Sequence, residues 1–259
     1  MKIQRINPTF AAQQFLRNSG WEKPGDLGLE EMCNAVNIQI NDVAIAGAEG
    51  RILMNRDNAV VAVNSAITHP GKRRFIIAHE LGHFLMHQDL KTLFTDDDET
   101  LAEWHQRGAH EQEANEFASE ILLPSGLFKE KVKGKKLNIN LIEDVASYFG
   151  SSLTASFLKY RLLGDYPIMI VFIDKGVIKW KQHSRDFPFK FLVIGSRVPV
   201  YTVAGDYFNG NGLSERPEKI DAIEWFPEDF QIKYSPDAKL WEQCFSVSET
   251  GLVSCIWCP

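Results

Sequence analysis

The sequence predicts an α+β fold in two parts, a mixed helical part over 1–165 followed by a smaller β-rich part over 166–259. Three observations carry this. Gly71 to His87 and His110 to Leu123 show the apolar spacing of buried helices. Arg51 to Asn55 and Ala59 to Asn64 run apolar or alternate around the turn-like Arg56-Asp57-Asn58, which predicts a hairpin. After Gly164-Asp165-Tyr166-Pro167 the pattern turns to short β-type runs, which sets the boundary near residue 165.

In chain order, Ala11 to Arg17 and Leu29 to Val36 read as helices, the second with Asp26 as its candidate cap. The hairpin comes next, then the helix Gly71 to His87 with Phe75, Ile76, His79, Leu81, Phe84 and Leu85 in its repeat. His110 to Leu123 is stopped by Pro124. Lys129, Lys131, Lys133, Lys135 and Lys136 around Gly134 read as a solvated connection. Leu141 to Phe149 and Leu153 to Leu163 form a helix pair broken by Gly150-Ser151-Ser152. Ile168 to Ile173 and Val177 to Lys181 form a hairpin across Lys175-Gly176, and Phe191 to Ile194 and Val198 to Val203 continue as strand.

Composition narrows the function classes. With 259 residues and 44% hydrophobic content there is material for a packed core. A net charge of −6 argues against a general nucleic-acid or anionic-membrane binder. The longest apolar runs, such as Ile168 to Ile173, are far short of the ~20 residues of a membrane span. No apolar leader core follows Met1, so the expected location is cytoplasmic. Four cysteines, three of them (Cys244, Cys255 and Cys258) crowded near the end, do not form the pattern of a disulfide framework. Residues 96–120 hold nine acids against Arg107, a local excess that would attract a basic partner and weaken with salt.

The most informative stretch is His79-Glu80-Leu81-Gly82-His83, an H-E-x-x-H. On a helix, side chains four apart share a face, so both imidazoles reach one ion. Neutral imidazole is a usual Zn²⁺ ligand, and Glu80 is placed to take a proton from a water activated by the ion. The apolar flanks Phe75 to Ala78 and Phe84 to Met86 make burial of these polar groups costly without a metal. The extended motif with glycine and a third histidine is excluded, because those positions hold Met86 and Asp89. The third ligand must then come from another element, and Glu111, Glu113 and Glu116 lie on the next helix. Glu111 shares the inward stripe of Ala114 and Ala118 and is favoured, with Glu113 second and Glu116 facing solvent. Asn115 lies one turn on, placed to orient a ligand histidine.

Phe75-Ile-Ile-Ala-His-Glu-Leu-Gly-His83 followed by Glu111-Gln-Glu-Ala-Asn-Glu-Phe-Ala-Ser-Glu-Ile-Leu-Leu-Pro124 resembles the ImmA/IrrE family of zinc metallo-endopeptidases. That family's pattern is roughly F-x-x-A-H-E-x-G-H, then E-x-x-A-N-x-F-A-x-x-L-L-x-P. The likeness covers about residues 30–164 and leaves the last 95 residues unmatched. It implies a zincin-like metalloprotease fold, with His79, His83 and Glu111 as zinc ligands and Glu80 as catalytic base. It also implies cytoplasmic action on a helix-turn-helix repressor or antitoxin, with some members acting as regulators. The β-rich part would then recognise substrate or control access. A protein substrate and no direct nucleic-acid or membrane partner are expected. The rival reading is a non-proteolytic zinc-containing module that binds a transcription factor.

Lesser signals are weighed against these. His87, four beyond His83, reads as a residue behind the ligands or at the surface, since three successive turns cannot all face one ion. His105 and His110 are candidates for stabilising an oxyanion. Asp144 to Leu163 has helix-turn-helix spacing, but its second helix carries only Lys159 and Arg161 as cations, so packing against the zinc-site part is expected. Cys244, Cys255 and Cys258 read as strand cysteines, and Trp180, Trp225, Trp241 and Trp257 as a C-terminal core. Zincins hold substrate as an added strand, and Ala59 to Asn64 is the candidate edge.

Overall fold

The computed structural model describes residues 7–87, the backbone of 94–96, and residues 108–259. His105 and most of the acidic run at 96–107 lie outside the described residues. The chain forms two compact units, one from 1–127 with 148–152, the other from 128–147 with 153–259.

The first unit begins with helix α1 (Pro8–Asn18), capped by the Asn7 side chain, which accepts from the Phe10 amide at 2.9 Å. Helix α2 (Leu29–Asn34) follows. Its cap is Gly28, whose amide donates to Glu31, and not Asp26. Asp26 instead accepts from the Glu22 and Lys23 amides and closes the preceding turn. Strands β1 (Ile38–Val43), β2 (Gly50–Met54), β3 (Ala59–Asn64) and β4 (Phe94–Asp96) form a sheet in the order β1-β3-β2-β4. The predicted hairpin is β2–β3, closed by Asn55, whose side chain accepts from the Asp57 and Asn58 amides.

Ala59 to Asn64 is not an edge. β1 pairs with β3 in parallel on one side and β2 antiparallel on the other, so β3 is internal. Ala59, Val61 and Val63 alternate inward, the period-2 burial of a strand with one covered face. The covering helix is α3 (Pro70–Met86), started by Pro70 and by the His69 ring accepting from the Lys72 amide. Ile76, Ile77, Leu81 and Phe84 pack with Ile52, Val61 and Val63 in one apolar core. Helix α4 (Ala109–Leu122) lies against α3 and adds Phe117, Ala118 and Ile121.

The lysine-rich stretch is partly helical, since α5 (Ser125–Val132) carries Lys129 and Lys131. Phe128 and Val132, one turn apart, are its buried face. Helices α6 (Ile139–Phe149) and α7 (Leu153–Leu163) match the predicted pair. The cations of α7 are engaged by the second unit: Lys159 is buried, and Arg161 donates to Gln182 Oε1 at 2.9 Å. Arg161 is thus held within the second unit, a packing role, but not the packing against the zinc-site part that the sequence predicts.

The second unit is built on an antiparallel sheet in the order β6-β5-β9-β8-β7. Its strands are β5 (Ile168–Asp174), β6 (Val177–His183), β7 (Glu218–Asp221), β8 (Lys239–Ser246) and β9 (Gly251–Trp257). β5 and β6 turn through Lys175 and Gly176, both at positive φ, as a two-residue hairpin requires. β9 is buried at every residue. On one face Phe157 of α7 stacks on Phe245, and on the other Met169, Val171, Leu240 and Ile256 join Trp225 and Phe226.

Phe191 to Ile194 and Val198 to Val203 are not strands, apart from an isolated bridge at the neighbouring Arg197. There the Lys190 and Phe191 amides donate to the Asp229 carboxylate instead of to a ladder, and Val203 opens helix α8 (Val203–Phe208). The tryptophans do not form one core. Trp225 and Trp257 are buried, while Trp180 stacks on Phe172 and Lys219 sits over Trp241, both rings only half-buried. All four cysteines are free thiols, Cys33, Cys244 and Cys255 buried and Cys258 half-buried.

Glu242 is fully buried and anchors α8 to the sheet. It accepts from the Val203 and Ala204 amides, Trp225 Nε1 and the Ser254 hydroxyl. Burial pushes its pKa up, against the pull of those four donors.

Candidate metal centre

Helix α3 is buried from Ile76 to Phe84, and within that run His79, Glu80 and His83 are each about 1% exposed. The i, i+4 spacing brings the two imidazoles together, with Nε2 of His79 and Nε2 of His83 3.0 Å apart. α4 supplies the carboxylate. Glu111 Oε2 lies 3.2 Å from His79 Nε2, and Oε1 lies 3.4 Å from His83 Nε2.

Asn115, one turn after Glu111 and buried, places Oδ1 3.0 Å from His79 Nδ1. The amide oxygen only accepts, so the ring proton is at Nδ1 and the Nε2 lone pair points at the cluster. Glu113 stands elsewhere: its Oε2 is 3.0 Å from His87 Nε2 and 3.7 Å from His110 Nδ1. Glu116 is exposed.

Charge at the cluster suits a cation. Burial lowers the His83 pKa to about 4, against the pull of Glu111, so the ring is neutral at physiological pH. Glu111 Oε2 is buried and makes no hydrogen bond among the described residues. Two imidazole nitrogens and a carboxylate thus converge within ligand reach of one point, the two-histidine, one-glutamate set of catalytic zinc. The donor set fits the metal that the motif implies.

Glu80, next to His79, turns toward the sheet. A Cβ at Gly50 of β2 would stand 3.1 Å from its Oε1 and 2.4 Å from Ile76 Cγ2, so the missing side chain makes room for the carboxylate. Sequence reasoning did not find Gly50. A glycine inside a strand pattern is a signal of close approach, but only the tertiary structure says to what.

Fold and site together define a metal-site peptidase-type protein: an H-E-x-x-H helix on a small sheet, a glutamate from a second helix, and a separate β-rich sheet. The model of the IrrE N-terminal-like domain, a peptidase family, matches residues 33–163, half of the chain, and the chain belongs to that family. Among solved structures, a Mycobacterium tuberculosis transcriptional regulator is similar with a TM-score of 0.57 at 16% identity. That match covers 97% of this chain and 87% of the other, a likeness of fold. No curated protein matches the chain.

Proposed function

We propose that the protein is a zinc-dependent endopeptidase acting in the cytoplasm on a protein substrate, a helix-turn-helix repressor or antitoxin. The observation that carries this is the convergence of His79, His83 and both oxygens of Glu111 around one point, with Glu80 the next residue after His79 on the same buried turn of helix. A structural metal site has no use for a base at that position. Membership in a peptidase family supports the reaction class, and the fold shared with a protein named as a transcriptional regulator supports a regulatory setting. Among the described residues no helix is long and apolar enough to cross a membrane.

In this reading His79, His83 and Glu111 hold the ion and Asn115 orients His79. Zinc held there supplies a Lewis acid that polarises the scissile carbonyl and makes water a nucleophile near neutral pH. Glu80 takes the proton of the attacking water and delivers it to the leaving amine. Substrate would add as a strand along β4. Among the described residues β4 is the edge next to β2, and Gly50, beside Glu80, pairs with Asp96 there.

The test is incubation of the purified protein with a repressor encoded beside it, with and without a chelator. The expected result is metal-dependent cleavage that Glu80→Gln abolishes while zinc stays bound. A Glu80→Gln protein with full biological activity would replace this reading with that of a non-proteolytic module that binds a transcription factor.

A further inference from the structure

Behind the metal cluster lies a second group of polar side chains, His87, Glu113 and His110, which the peptidase reading leaves without a task. His87 is one turn beyond His83 and 5% exposed. Its Nδ1 lies 3.0 Å from His83 Nδ1, and its Nε2 lies 3.0 Å from Glu113 Oε2.

Counting protons along this chain gives one arrangement. A carboxylate oxygen accepts, so the hydrogen in the contact between Glu113 and His87 is on His87 Nε2. A neutral imidazole has a single N–H, so His87 Nδ1 is bare and accepts from His83 Nδ1–H. His83 then has no hydrogen on Nε2, the atom 3.0 Å from His79 Nε2 and 3.4 Å from Glu111 Oε1. His110 is not in the chain: its Nδ1 is 3.7 Å from Glu113 Oε2, and its ring packs edge-on against His87.

We propose that His87 and Glu113 are positioning residues, a two-step hydrogen-bond relay that locks His83 in the tautomer able to donate through Nε2. The inference rests on the metal reading of His79, His83 and Glu111. It gives each ligand histidine its own acceptor at Nδ1: Asn115 directly for His79, and Glu113 through His87 for His83. Partners of this kind fix ring orientation and raise ligand basicity.

The test is zinc affinity, measured by competition with a chromophoric chelator, for two pairs of variants. His87→Leu and Glu113→Leu each break the relay and should weaken zinc binding about 10–100-fold. His87→Asn keeps an acceptor facing His83 Nδ1, and Glu113→Gln keeps one facing His87 Nε2, so both should return affinity toward wild type. Nitrogen-15 NMR of histidines in the metal-free wild-type protein should show the His83 proton on Nδ1, a readout independent of whether the leucine variants fold. Folded leucine variants with wild-type affinity, or a His83 proton on Nε2, would overturn the relay. Two zinc ions per wild-type chain, falling to one in Glu113→Leu, would also overturn it by making Glu113 a ligand. Failure of the metal reading looks different, since His83→Ala and Glu111→Ala would then bind zinc as wild type does.

Discussion

Gly50→Ala puts a single methyl group between the sheet and α3. In a strand, alanine ordinarily gains about 0.5–1 kcal/mol over glycine through the unfolded chain. Gly50 has no positive φ, so its backbone accepts the change. The methyl would stand 2.4 Å from Ile76 Cγ2, where about 3.5–4.0 Å is comfortable, so helix and strand must part by roughly 1 Å. Ile76 cannot swing aside, because a β-branched residue in a helix has one favoured rotamer. Overpacking costs about 1–3 kcal/mol, and a 2.4 Å contact belongs at the upper end of that range, which leaves a net loss of about 2 kcal/mol. Denaturant unfolding should therefore show a lower midpoint at an unchanged slope. Ile76→Leu removes Cγ2 at nearly constant volume and should relieve most of that loss in the double variant. Hydrolysis should fall as well, since the methyl is 3.1 Å from Glu80 Oε1, while zinc stays bound because none of the three nearest atoms belongs to a ligand. A Gly50→Ala protein as stable as wild type, or one that Ile76→Leu does not rescue, would refute the steric argument.

Two further outcomes are expected. Glu111→Ala should lose its zinc on gel filtration while Glu116→Ala, altered at an exposed position, keeps it; elemental analysis of both decides the third ligand. Glu242→Gln should lower stability by about 2–3 kcal/mol in denaturant unfolding, because the amide nitrogen turns a donor toward donors that all need an acceptor.

Local periodicity made α3 and α4 readable, because the apolar repeat of a buried helix is written in consecutive residues. Strand order is not written that way. The hairpin pattern identifies only one neighbour of β3, and nothing local announces that Ile38–Val43 crosses to pair in parallel on its other side, so the candidate edge is internal. The stretch from Phe191 to Val203 is rich in β-formers, yet Asp229, almost forty residues later, takes the amides that a strand would have used. Glu120 was missed for a similar reason. It is buried by distant partners, accepting from Gln13 and from the Ser125 amide and hydroxyl, and a charged residue on a helix carries no sign of such partners.

The two glutamates of α4 show how helix geometry separates residues that chemistry alone leaves alike. Glu111 and Glu113 are the same residue type two positions apart, and two steps of a helix turn them about 160° from each other. They therefore border opposite sides of the buried stripe of Ala114, Ala118 and Ile121. Close approach of the two helices then assigns each its partner. A Cβ at Gly82 would meet Phe117 at 3.1 Å and the Ala114 backbone at 3.3 Å, so glycine on α3 faces alanine on α4 with no room to spare. With the stripe held that tightly against α3, one border of α4 falls beside His79 and His83 and the other beside His87. One pair of facing helices thus carries both the carboxylate that completes the cluster and the carboxylate at the end of the relay behind it.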